Sequence, residues 1–206
     1  GYVIHGRKTW VMGGMMAGLT TVVARRGEEN LEDLGAFVID PTAAGCDLEP
    51  MQDLLGLRGA GFCNMNLNGL MMSADQHLKG SSEGWSAITK VIDTARLGSA
   101  AISLGVARGA IAHALEYSSQ RKAFGRSIDR FGAIRAMHAE AATAVEGARL
   151  LLWRAAGLVD SGKSAGREVS MANLAAKQAS YKATRDAVQI LGGNGYSREY
   201  PVERAY

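Results

Sequence analysis

Ten residues, Arg121 to Arg130, carry four cations (Arg121, Lys122, Arg126, Arg130) around a Phe124-Gly125 pair. Arginine can grip a phosphate with two parallel N–H bonds, and glycine lets backbone approach a ligand closely. The stretch therefore reads either as an anion cradle or as a solvated basic turn between helices. A second stretch, Gln189-Ile190-Leu191-Gly192-Gly193-Asn194-Gly195, ends an apolar helical run in three glycines out of four residues. A glycine there usually caps the helix; the length of the run also allows something to dock on the backbone. Trp10, in Lys8-Thr9-Trp10-Val11-Met12-Gly13-Gly14, is either a sheet-core tryptophan or an aromatic plate for a flat ligand. Asp93 and Arg96, three apart in a helical pattern, make at least a local ion pair worth a few tenths of a kcal/mol.

Other chemistries find little support. Cys46 and Cys63 have neither metal-ligand spacing nor a disulfide framework and read as reduced structural thiols. His113 and His138 lie in helical runs with no second ligand at i+4, so metal binding is not indicated. The nine methionines, Met15, Met16, Met71 and Met72 among them, read as packing residues, with Met12, Met15 and Met16 also candidates to shape a pocket. A net charge of +3 over 206 residues does not suggest nucleic acid as a partner. No apolar run reaches the ~18 residues of a membrane span.

The elements that must position these residues divide at about residue 80. Of the three prolines, Pro41, Pro50 and Pro201, none interrupts residues 51–200, so long helices are permitted there. Before residue 75 short β-rich pieces alternate with turns: "YVIHG", "KTWVM", "LTTVVARR", "GAFVID" and "CNMNLNGLMM". After Gly84 apolar residues recur every three or four positions. The spacing predicts helices over Trp85–Arg121, Phe131–Val159 and Glu168–Leu191, with Ser81 or Ser82 capping the first. "YPVERAY" reads as the start of another helix. Alanine on several faces of each helix suits close antiparallel packing. The expected fold is α+β: residues 1–80 form the later part of a β-domain, and residues 81–206 an all-α, four-helix-bundle-type domain. "GYVIHGRKTW" already reads as mid-domain strand, so an N-terminal segment is expected to precede it.

Together, "YVIHGRKTWVMGG", "LLGLRG", "IDTARLGSAAISLGVARGA", "YSSQRKAFGRSI" and "AVQILGGNGYSREYPVERAY" resemble the acyl-CoA dehydrogenases, in that family's order and spacing. The resemblance implies a flavoenzyme that binds FAD. Trp10, Val11 and Met12 match the strand beside the flavin ring. Arg121 and Phe124 match residues that contact the FAD of a partner subunit, the arginine at its pyrophosphate. Gln189, Ile190, Leu191, Gly192 and Gly193 match the segment along the adenosine half. Asp93 and Arg96 match positions lining the acyl-thioester and CoA channel. Three places depart from the family pattern: Met12 where a hydroxyl is common, Phe131-Gly132 where a glutamine is, and Ser164 where some members carry arginine.

The implied reaction removes an α-proton from an acyl thioester and passes a hydride from the β-carbon to flavin N5. The base is a carboxylate whose pKa an apolar site raises. One family position for it precedes Arg96 and is Ala95 here; the usual one lies past Tyr206. Glu116, Glu140 and Glu146 read as surface or packing residues. The substrate is an acyl-CoA or an acyl-carrier-protein thioester, and the acceptor an electron-transfer flavoprotein. The protein would be a homo-oligomer, a dimer of dimers, in a bacterial cytoplasm or the mitochondrial matrix. A non-catalytic structural subunit of a heteromeric dehydrogenase and an acyl-CoA oxidase are the alternatives.

Overall fold

A computed structural model describes residues 1–27, 33–51, 53–79 and 84–206. The expected caps Ser81 and Ser82 lie outside the described residues. The chain forms two compact units, Gly1–Thr89 and Lys90–Tyr206.

The first unit is built from strands. β1(Tyr2–Val11), β4(Cys46–Pro50) and β5(Cys63–Met72) form an antiparallel sheet in the order β1-β5-β4; β2(Thr20–Arg25) and β3(Leu34–Ile39) form an antiparallel pair. Alternation on β5 buries Cys63, Met65 and Leu67, then resumes at Leu70 and Met72. The phase change is a bulge: Ile4 pairs with Leu70 and Gly6 with Leu67, so His5 faces both Asn68 and Gly69. The expected pieces "YVIHG" and "KTWVM" are therefore one strand. Gly6, read as a break, sits beside that bulge and the strand continues through it. Ile4, Val22, Phe37, Ile39, Met65 and Leu70 join both sheets in one core. The two cysteines are free and buried, and burial pushes both thiols up in pKa.

The second unit is helical. Three long helices are α1(Gly84–Gln120), α2(Gly132–Asp160) and α3(Gly166–Leu191); α4(Val202–Ala205) follows. The core is an alanine seam: Ala100 and Ala107 of α1 meet Ala141 and Ala148 of α2 and Ala176, Ala179 and Ala183 of α3. Small side chains at three- and four-residue spacing let helix backbones approach closely. A second cluster, Ala110, Ala114, Ala187, Ile190, Leu191 and Val202, ties the ends of α1 and α3 to α4. The fold is thus α+β, a partial sheet region followed by a helical domain of four helices.

Candidate functional site

The end of α1 sets the site. The Arg121 N–H still donates to the Tyr117 carbonyl at 2.9 Å, one bond past the helix. The chain then doubles back in a hairpin that pairs β6(Lys122–Ala123) with β7(Arg126–Ser127). The Ile128 N–H closes it on the Arg121 carbonyl at 2.9 Å. Its two central residues, Phe124 and Gly125, have φ of 50° and 80°, as a type I′ turn requires. Glycine adopts that conformation freely; a bulky residue pays roughly 1–3 kcal/mol. Phe124 is nevertheless 96% exposed, so no burial in this chain offsets the strain. Beside it, the Arg126 guanidinium lies 4.4 Å over the Phe131 ring. Arg121, Lys122, Arg126 and Arg130 have no ion-pair partner among the described residues. Their charge is free for an anion.

The three glycines after α3 have three different reasons. Gly192 caps the helix at φ 58°. Gly195 is pressed on α3 itself: a Cβ there would stand 2.4 Å from the Val188 carbonyl oxygen. Gly193 has neither constraint, since a Cβ would meet open space. The cap reading therefore holds for Gly192, the close approach at Gly195 is intramolecular, and Gly193 leaves backbone open to a ligand with no conformational demand of its own.

Arg121, Leu191 and Asn194 line one groove of about 380 Å³, with His113, Glu116, Tyr117 and Gln120 of α1 and Tyr200. The Asn194 Nδ2 donates to the Tyr117 Oη at 2.9 Å, and the Tyr117 ring meets Tyr200 edge to face at 5.6 Å. Sequence reasoning missed the α1 residues of this groove. The signal was present: His113, Glu116, Tyr117 and Gln120 precede Arg121 by 8, 5, 4 and 1 positions, one helical face. Gln189 and Ile190 lie in the last turn of α3, just before Leu191, with Ile190 buried in the cluster beneath the groove.

Asp93 and Arg96 lie elsewhere. Arg96 Nη1 donates to Asp93 Oδ1 at 3.1 Å. Between them and Arg121 runs about 40 Å of α1, at 1.5 Å per residue. Ala95 is exposed on the same stretch. Of the other carboxylates considered, Glu140 pairs with Lys182 at 2.9 Å and Glu146 with Arg149. Lys182 also bonds Asp186 at 2.7 Å, and these bonds raise its pKa. Burial lowers the pKa of His138, against a smaller pull from Asp129.

In the first unit, Trp10 occupies a second bulge. Lys8 pairs with Met65 and Val11 with Cys63, so Thr9 and Trp10 oppose Asn64 alone. Trp10 has φ 59° and is 61% exposed, which rules out a sheet-core tryptophan. Its ring meets Phe62 edge on at 6.2 Å. The methionines divide: Met65 and Met72 pack in the core, whereas Met12, Met16 and Met71 are exposed. Reading all of them as packing residues fails there: Met12 and Met16 face outward in the turn after β1, and Met71 does so by the alternation of β5 between buried Leu70 and Met72.

Residues 82–206 match the family model of the acyl-CoA dehydrogenase C-terminal domain, and residues 1–70 that of the acyl-CoA dehydrogenase middle domain. The chain belongs to the acyl-CoA dehydrogenase family. It is 36% identical over 205 residues to cyclohexane-1-carbonyl-CoA dehydrogenase of Geobacter metallireducens, covering 100% of this chain and 54% of that protein. It is 34% identical over 206 residues to the caffeyl-CoA reductase-Etf complex subunit CarC of Acetobacterium woodii, again covering 100% and 54%. The solved butyryl-CoA dehydrogenase of Megasphaera elsdenii superposes with a TM-score of 0.92 at 30% identity, covering 99% of this chain and 54% of that one. The chain spans about half the length of the curated relatives it matches. Among the described residues, no helix is long and apolar enough to cross a membrane.

Proposed function

We propose that this protein is an FAD-dependent acyl-CoA dehydrogenase that desaturates an acyl thioester between its α- and β-carbons. The observation that carries the reading is the groove that gathers Arg121 and the end of α3 beside cations with no ion-pair partner among the described residues, in a chain of this family. Its donor set fits a flavin dinucleotide: Arg121 would hold the pyrophosphate, Phe124 would cover the cofactor, and Gln189–Gly193 would lie along the adenosine half. Trp10, Val11 and Met12 would stand by the flavin ring, with Met12 supplying no hydroxyl. When bound, the flavin supplies the two-electron acceptor for the hydride of the β-carbon. Asp93 and Arg96 would line the acyl and CoA channel, and Met12, Met15 and Met16 could shape its apolar end.

The 40 Å of helix between Arg96 and Arg121 favours a cofactor shared between protomers, because one protomer's acyl channel and its own Arg121 groove are a helix length apart. The exposed Ile102, Leu150, Trp153 and Leu174 support a homo-oligomer, a dimer of dimers. The substrate is an acyl-CoA or an acyl-carrier-protein thioester. An electron-transfer flavoprotein is the acceptor, a choice supported by the Etf complex to which the Acetobacterium woodii relative belongs. The cytoplasm or the mitochondrial matrix is the compartment.

The test is flavin content. The full-length protein should purify yellow, release FAD on denaturation and bleach anaerobically with an acyl-CoA. Arg121→Ala should weaken FAD retention about ten- to hundredfold, the equivalent of a charge-assisted contact of ~1.5–3 kcal/mol. A colourless protein that takes up no FAD would remove this reading.

A further inference from the structure

We propose that Tyr117 is a positioning residue that fixes the glycine turn 192–196 relative to Arg121, through the hydrogen bond its phenol accepts from Asn194. The inference rests on the flavin reading of the groove given above.

Tyr117 touches both halves of the site. Its backbone carbonyl accepts the Arg121 N–H at 2.9 Å, the bond that sets where the arginine leaves α1. Its Oη accepts from the Asn194 Nδ2, also at 2.9 Å, across 77 positions of sequence. The ring between those two groups is not free to turn. It meets Tyr200 edge to face and packs on the cluster of Ala110, Ala114, Ile190 and Leu191. The turn itself is otherwise tied to its own neighbours. Gly192 bonds back to Gln189, Ser197 bonds to Asn194, and Gly195 rests on Val188 (the first of these through its N–H to the Gln189 carbonyl). None of those contacts reaches α1. The cluster of Ala110, Ala114, Ile190 and Leu191 joins the ends of the two helices, and the Asn194–Tyr117 bond extends that tie into the turn, fixing its distance from the helix that carries Arg121. Losing that bond leaves both segments folded but lets the turn, with the open backbone of Gly193, shift against Arg121.

The experiment strips the flavin from the full-length protein and titrates FAD back, reading the dissociation constant from flavin fluorescence. The melting temperature of the flavin-free protein is measured in parallel. Tyr117→Phe keeps the ring and its contact with Tyr200 and removes only the hydroxyl; Asn194→Ala removes the other partner. Each should weaken FAD about two- to tenfold, as expected for one net hydrogen bond. The double variant should be no weaker than the weaker single, because both break the same bond. Flavin-free melting temperatures should not change. An unchanged FAD affinity in Tyr117→Phe would overturn the inference, as would additive losses in the double variant. A fall in flavin-free melting temperature that accounts for the weaker binding would reduce Tyr117 to structural support. Wild type that takes up no FAD sinks the groove reading itself, an outcome separate from any difference between variants.

Discussion

Asp93 reaches from α1 to the first residue of α3: its Oδ2 would stand 3.3 Å from a Cβ at Gly166, while its Oδ1 accepts from Arg96. The start of a helix carries partial positive charge, which favours a carboxylate placed beside it. Its side chain is 20% exposed. Asp93→Asn should therefore destabilise the protein in the absence of any acyl-CoA. The i,i+3 pair contributes a few tenths of a kcal/mol and the helix terminus roughly 0.3–1, giving about 0.5–1.5 kcal/mol in denaturant unfolding. An unchanged midpoint would mean that the carboxylate matters only to a ligand.

Gly195 and Gly193 should answer differently to alanine. At Gly195 a Cβ would clash with the Val188 carbonyl oxygen at 2.4 Å and with its Cα at 2.9 Å. Those are backbone atoms that cannot swing away, so Gly195→Ala should cost ~1–3 kcal/mol. At Gly193 the Cβ meets open space, and the loss of unfolded-state freedom should leave stability unchanged or raise it by up to about 1 kcal/mol. If the Gly193 backbone approaches FAD, Gly193→Ala weakens flavin binding without weakening the fold. Paired melting and FAD titration separate the two residues.

Much of this architecture was legible because its signals are periodic. β5 alternates on either side of its one bulge, and the long helices keep three- and four-residue spacing through a proline-free run. β4 was missed because five residues ending in Pro50 leave no period to read. The hairpin at 122–127 was missed because its strands are two residues long and its turn is Phe-Gly rather than Asn-Gly. Of the site, the pairing of Arg121 with Leu191 followed only from resemblance, since no local pattern links residues 70 apart. The division of labour among Gly192, Gly193 and Gly195 depends on φ and on a neighbouring carbonyl, and neither can be read from residue type.

His138 should make stability fall in mild acid. Its Nε2 lies 3.1 Å from the hydroxyl of the fully buried Ser118. Burial lowers its pKa below the ordinary 6.5. A folded pKa below the unfolded one means that the unfolded chain binds the proton first. The stabilising effect of neutral His138 is therefore complete above about pH 6.5 and is lost as pH drops from there towards the lower folded value. Carboxylates such as Glu168, whose pKa its bond from Arg167 lowers, add their own loss further into acid. Subtracting the curve of His138→Gln isolates the histidine. A difference between the two proteins that stays flat from pH 7 to pH 5 would contradict the assignment.

The 206-residue chain supplied with FAD should not bleach the flavin with an acyl-CoA. Removing an α-proton at neutral pH needs a base within hydrogen-bond reach, a contribution of roughly 10²–10⁴-fold. Around Arg96, α1 offers Asp93 and Ala95. Asp93 accepts a hydrogen bond from Arg96 and lies beside the first residue of α3, so its carboxylate is already occupied within the fold. Ala95 is exposed and has no proton acceptor. Glu140 and Glu146 are held by Lys182 and Arg149. Ala95→Glu places a carboxylate next to Arg96 without disturbing the core. It should confer measurable anaerobic bleaching on a flavin-loaded protein whose own base has been removed. The pH profile should show a single acid limb, since the new carboxylate must be ionised to accept the proton. Bleaching by the unmodified 206-residue chain that disappears in Asp93→Asn would instead identify Asp93 as the base.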